Sequence, residues 1–240
     1  MSIIKEILTH TAHRPFNLPS GQWKYYQEWN NAVFLHWQIP IEAVRELVPP
    51  ELDIDCYNGS CYVSLVGFTM QNIRPRYLPS VSFISDFNEI NLRTYVVYNG
   101  KPGVYFLNIE AAKSISVFIA KHLSGLPYEK AVMARTETTF TSRNNKKGFY
   151  FDASFDIKEM LLNKTALDKW LTERYCLYLK QDGKVFCYDI HHQEWPLRTI
   201  NVNLLSLNYR IGSFKLSGQL PDLVHYSNGV KVLSWQKKAI

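Results

Sequence analysis

The chain has 240 residues, 46% hydrophobic and 20% charged, with a formal net charge of +6. That balance builds a core and excludes a long disordered tail, while the scattered Lys and Arg residues exclude a nucleic-acid-binding face. No stretch reaches the roughly 20 apolar residues of a membrane span and no signal-peptide run opens the chain, so a single cytoplasmic domain over residues 1–240 is expected.

In chain order, residues 2–10 read as a short amphipathic helix that ends near Arg14-Pro15 and packs over one end of the fold. Residues 23–39 are aromatic and β-branched and read as a long strand, followed by a short helix at 41–47 stopped by Pro49-Pro50. Asn58-Gly59, Asn99-Gly100, Asp182-Gly183 and Asn228-Gly229 each lie between apolar runs, and such dipeptides predict hairpins because they tolerate positive φ. Strands are expected at 62–73, 88–98, 103–109, 132–142, 148–155, 175–179, 185–190, 199–209 and 230–235. Helices are expected at 112–123 and at 166–173, the second opened by a capping box of Thr165 and Asp168. The run Val63, Leu65, Val66, Phe68, Met70 is apolar on both faces of its strand, so the outside of the sheet needs a cover, which the helices are expected to supply.

Four cysteines without a Cys-x-x-Cys spacing give no zinc site and no disulfide framework. A type I′ turn at Asn58-Gly59 nevertheless sets Cys56 opposite Cys61, where two reduced thiols are expected in a reducing cytosol. Arg143, Lys146 and Lys147 surround Asn144-Asn145 in a segment of turn composition, a solvated hairpin tip.

No nucleophile elbow, phosphate loop, dinucleotide fingerprint or His-Glu-x-x-His motif is present, so no cofactor and no metal are called for. His191 and His192 are adjacent and point to opposite faces of a strand. The ionisable residues on the expected inner strands and helix entrances are Glu89, Arg93, Glu110, Arg135, Arg174 and Tyr175. A charge inside an apolar barrel is costly unless paired, so this set forms either structural ion pairs or a polar ligand site.

The run Asn88-Glu89-Ile90-Asn91-Leu92-Arg93-Thr94-Tyr95-Val96 resembles the YqjF-like family of uncharacterised bacterial proteins, as do Gly103-Val104-Tyr105-Phe106 and Leu126-Pro127-Tyr128. His36-Trp37, Val48-Pro49-Pro50, Leu171-Thr172-Glu173-Arg174-Tyr175 and His191-His192 with Trp195-Pro196-Leu197 follow the same pattern, in order, over almost the whole chain. That family is similar in turn to the acetoacetate decarboxylase superfamily. The resemblance implies an α+β fold, an antiparallel β-barrel flanked by a few helices around a closed cavity, with Phe87-Asn88-Glu89 supplying a site carboxylate. After the proline turn that superfamily carries a catalytic lysine pair, where this chain has Tyr128 and Glu129. Schiff-base chemistry at that position is therefore excluded. Lys130 lies two residues on, roughly 6.6 Å further along a strand.

Two readings follow. In the first the protein is an enzyme without covalent catalysis: Glu89 is the base, Tyr128 the acid or oxyanion donor, and Arg93 or Arg174 binds a carboxylate or enolate. Glu110, Tyr175, His192 and Trp195 complete the expected ligand-binding set. In the second the same residues only hold a small acid in a non-catalytic binding barrel, or the chain is a protein-interaction domain. The expected partner is a small carbonyl- or carboxylate-containing molecule, and an aromatic-rich sheet edge permits a homodimer.

Overall fold

In the computed structural model, which describes residues 3–112 and 126–240, three of the four expected hairpin turns form. Asn58-Gly59, Asn99-Gly100 and Asp182-Gly183 take positive φ at both residues, the geometry of a type I′ turn. The short helices are α1 (Ile3–Thr9), α2 (Ile41–Arg45), α3 (Ser82–Ser85) and α4 (Ala166–Thr172). The strands of the first half are β1 (Tyr25–Ile39), β2 (Asp53–Ile54), β3 (Cys61–Pro75), β4 (Phe87–Tyr98) and β5 (Lys101–Ala111). Next come β6 (Glu129–Lys130), β7 (Val132–Arg135), β8 (Thr139–Asn144), β9 (Phe149–Met160), β10 (Cys176–Gln181) and β11 (Lys184–His192). The last are β12 (Leu197–Ile211), β13 (Phe214–Ser217), β14 (Leu223–Ser234) and β15 (Lys238–Ala239). The helix expected at 112–123 lies, apart from Ala112, outside the described residues. Among the described residues no helix is long and apolar enough to cross a membrane.

Hydrogen bonding runs β11-β10-β5-β4-β3-β1-β14 and returns from β14 to β11, a ring of seven strands. The expected all-antiparallel pattern fails at one place in it: β5 and β10 are parallel, with Leu177 beside Val104 and Tyr178 beside Tyr105. A closed ring with an odd number of strands cannot alternate direction all the way round, so one parallel pair is unavoidable. The long excursion between β5 and β10 supplies the crossover that a parallel pair requires.

Much of that excursion builds a second layer. From β14 the sheet branches through β12, β9, β8 and β7, with β13 folded back on β12. Phe140, Phe151, Phe155, Tyr209 and Leu216 of this wing pack against Val33, Leu35, Val63, Leu65, Ile90 and Leu92 of the ring. The cover expected from helices is thus a layer of strands over β1, β3 and β4, which is why those strands are apolar on both faces. The span 132–142 forms two strands because the chain turns at Thr136, whose hydroxyl accepts the Thr138 and Thr139 amides.

Two helices differ in their roles. α1 sets Ile7 against Tyr26 and Leu233, on the faces of β1 and β14 turned away from the interior, and so covers a side of the ring instead of an end. α4, opened by the expected capping box, lays Leu171 on Tyr95 and Leu177 inside the ring. The Asn228-Gly229 pair makes no hairpin and stays within β14, where Gly229 lies opposite Asn30. A Cβ on Gly229 would stand 2.5 Å from the Trp29 carbonyl oxygen, so close backbone approach explains that glycine. Across the Asn58-Gly59 turn, Tyr57 and Ser60 exchange backbone bonds, which leaves Cys56 and Cys61 a non-hydrogen-bonded pair with Cα atoms 4.5 Å apart. They are joined in a disulfide, not held as the expected free thiols.

Gly103 marks the tightest point of the parallel junction. A Cβ there would lie 2.5 Å from the Cys176 carbonyl oxygen and 2.7 Å from Tyr178. Gly103→Ala is expected to destabilise the fold by about 2–3 kcal/mol, because the obstacle is backbone and cannot rotate away. A lowered urea midpoint with unchanged slope checks this.

Candidate functional site

The ring encloses a cavity of about 510 Å³. One wall is apolar, with Trp29, Phe34, Val66, Phe68 and Met70 from β1 and β3. The opposite character comes from β4, whose alternate residues Glu89, Asn91 and Arg93 face inward while Ile90 and Leu92 enter the outer core. Period-two alternation therefore sorts this strand into a polar inner stripe and an apolar outer one.

Glu89 is 2% exposed. Its Oε2 accepts the Tyr128 hydroxyl at 2.8 Å and its Oε1 accepts the Asn91 amide at 3.2 Å. Burial pushes the carboxyl up to about 7, against the opposing pull of those two bonds. Burial and the neighbouring Glu89 hold the Tyr128 hydroxyl well above its ordinary range, so it stays a donor. Tyr128→Phe removes one bond that favours the ionised carboxylate, and Glu89 is then expected to titrate above 7, read by carbon-13 NMR of its carboxyl.

Arg93 is buried and makes no ion pair among the described residues; one Nη reaches the Leu171 carbonyl at 3.5 Å. Burial lowers its affinity for the proton, the neighbouring Tyr95 hydroxyl opposes that, and Arg174 nearby adds repulsion. Arg174 pairs with Asp55 at 2.6 Å, donates Nε to the Trp170 carbonyl, and lies over the Trp170 ring at 4.3 Å. Four buried polar atoms of cavity-lining residues find no hydrogen-bond partner among the described residues: Asn91 Oδ1, Arg93 Nε, Arg174 Nη2 and the Tyr188 hydroxyl. Buried polar atoms are nearly always bonded, and these four belong to residues that line one cavity.

His192 also lines the cavity, its Nδ1 donating to the Gln193 carbonyl at 2.7 Å. Burial depresses it to about 3, so the ring is neutral near pH 7. Trp195 stands beside it and meets Phe34 edge-on at 5.0 Å. Glu89, Tyr128, Arg93, Arg174, His192 and Trp195 therefore share one cavity.

Glu110 and Tyr175 do not line it. The β4–β5 pairing skips Leu107, and this bulge turns Glu110 outward. There it accepts Asn144 at 2.7 Å and Tyr209 at 3.3 Å in the second core. Tyr175, next to Arg174 on the opposite side of the chain, donates to Glu173 at 2.7 Å and lies under Arg14. Arg135 packs over Phe140 at 4.7 Å, outside the cavity lining. Sequence reasoning misses Asn91 and Tyr188 as site residues, although Asn91 follows directly from the alternation that selects Glu89 and Arg93. Lys130 is exposed, and Lys237, at the cavity rim, is bonded to Gln181.

The fold is that of the acetoacetate decarboxylase-like proteins. Acetoacetate decarboxylase from Legionella pneumophila superposes with a TM-score of 0.59 at 13% identity, covering 100% of this chain and 96% of that one. The enduracididine biosynthesis enzyme MppR complexed with pyruvate gives 0.59 at 10% identity, covering 94% and 93%. The chain belongs to the DUF2071 family, described as an uncharacterized conserved protein, whose profile matches residues 26–231. It is 36% identical over 229 residues to the uncharacterized protein YqjF of Bacillus subtilis (strain 168), covering 91% of this chain and 93% of YqjF.

Proposed function

We propose that the cavity of this YqjF-like protein binds a small organic acid with an apolar or aromatic body, and that Glu89 and Tyr128 move a proton at a carbon next to its carbonyl. The observation that carries this reading is the buried Arg93 guanidinium, which has no ion-pair partner among the described residues and an Nε–H without an acceptor there, beside Arg174, which is paired with Asp55 and keeps one Nη without an acceptor. A buried cation without a counter-ion is costly, and a bound carboxylate supplies one through charge-assisted bonds. The apolar wall of Phe34, Val66 and Phe68 suits the remainder of the guest. MppR, a neighbour in fold only, has been solved with pyruvate, and that complex supports a keto acid as the kind of guest to try first.

A carboxyl that titrates near 7 takes and returns protons at neutral pH. With no lysine in place of Tyr128, the chemistry is proton transfer, as in an isomerase, hydratase or lyase without a Schiff base. Incubation with keto acids in deuterium oxide, followed by proton NMR, tests it. Exchange at the carbon beside the carbonyl is expected, and Glu89→Gln is expected to slow it by about a hundredfold or more. A wild-type protein that binds the acids and exchanges nothing is a binding barrel without catalysis.

A further inference from the structure

A second polar cluster, built in part from α4, lies inside the ring and outside the cavity lining. The Asp168 Oδ1 atom is 2.9 Å from His225 Nε2, His225 Nδ1 is 3.2 Å from His36 Nε2, and His36 Nδ1 is 2.6 Å from Ser64 Oγ. Ser64 Oγ is in turn 2.6 Å from the Tyr95 hydroxyl. These five side chains come from α4, β14, β1, β3 and β4, and none is more than 5% exposed.

Donor and acceptor chemistry leaves one arrangement while both imidazoles are neutral. The Asp168 carboxylate only accepts, so His225 carries its proton on Nε2 and accepts at Nδ1. His36 must then donate from Nε2 and accept at Nδ1, where Ser64 at 2.6 Å is a nearer donor than the Tyr95 hydroxyl at 3.4 Å. Ser64 has spent its hydrogen, so Tyr95 donates to Ser64. Burial depresses both histidines below their ordinary value, which keeps them neutral.

The far end of the chain reaches both arginines. The Tyr95 hydroxyl stands 3.0 Å from the Leu171 carbonyl, and an Arg93 Nη stands 3.5 Å from the same oxygen. The Arg174 guanidinium lies over the Tyr95 ring at 4.9 Å. The Tyr95 hydroxyl has one hydrogen for two acceptors, Ser64 Oγ at 2.6 Å and the Leu171 carbonyl at 3.0 Å, and when it goes to Ser64 the carbonyl is left to Arg93. If Ser64 donated instead, Tyr95 would compete with Arg93 for that oxygen.

We propose that Asp168, His225, His36 and Ser64 form a positioning relay that sets the direction of the Tyr95 hydroxyl, and through it the seating of Arg93 in the cavity wall. Its consequence for binding rests on the organic-acid reading; the relay itself is read in ligand-free protein.

The test is NMR of the full chain labelled with nitrogen-15 in histidine and arginine, above neutral pH and without ligand. Both His36 and His225 are expected to carry their proton on Nε2. The Arg93 Nε–H resonance is expected to shift in Tyr95→Phe, which keeps the ring, and in His225→Gln, which acts from three side chains away. A proton on Nδ1 of either histidine in the wild type overturns the relay. An Arg93 resonance unmoved in Tyr95→Phe overturns its link to the cavity, whether or not His225→Gln folds. Failure to bind any carboxylate would sink the organic-acid reading while leaving these tautomers as measured.

Discussion

Arg93→Met is expected to stabilise the ligand-free protein and to destroy its affinity for organic acids. The two effects have one origin. Arg93 is 8% exposed, and no carboxylate lies within ion-pair distance of it among the described residues. Replacing a buried, uncompensated cation by an apolar side chain of similar length relieves its desolvation, and a gain of about 1–3 kcal/mol in urea unfolding is expected. For a bound carboxylate the same substitution removes its charged partner, at a cost of about 3 kcal/mol or more than a hundredfold in Kd. Loss of stability in Arg93→Met would mean that the guanidinium is held by its contacts to Leu171 and Tyr95 well enough to need no anion.

Glu89→Gln is expected to stabilise the fold at pH 8 and to do much less at pH 5. In the unfolded chain this carboxyl ionises near its ordinary 4.5, whereas burial moves it to about 7 in the fold. Below 4.5 it is protonated in both states and costs nothing. As pH rises from 4.5 to 7 the unfolded state releases the proton first, so the folded state loses stability through that window. Above 7 the full cost applies, about 3 kcal/mol for this displacement. Glutamine cannot ionise and escapes it. Unfolding in urea at the two pH values reads the difference, and equal gains at both would show that Glu89 is not desolvated.

Much of the site is legible in residue alternation. Glu89 and Arg93 are four apart on a strand, so they share a face, and the apolar residues between them require an outer core. The capping box at Thr165 and the Asn99-Gly100 and Asp182-Gly183 turns rest on equally local chemistry, whereas the missing lysine at Tyr128 is visible only through the family resemblance. Glu110 could not be placed this way, because one skipped residue at Leu107 reverses the parity of β5 and no composition signal marks it. Asn228-Gly229 misleads for a related reason: its glycine is required by the close approach of Trp29 and Asn30, not by a turn. Apolar residues on both faces of β3 correctly demand a cover, but the pattern does not say whether helices or strands supply it. The His36–His225 contact joins residues 189 apart in the chain, brought together by the pairing of β1 with β14.

Recognition of a small acid by its charge is what the cavity is proposed to do. Isothermal titration of the wild-type protein with matched pairs of aromatic and keto acids and their neutral amides measures it directly. One site per chain is expected for an acid, with binding of its amide weaker by about a hundredfold or more, since the amide leaves Arg93 without a counter-ion. Amides that bind as tightly as the acids, or acids that do not bind at all, would contradict it.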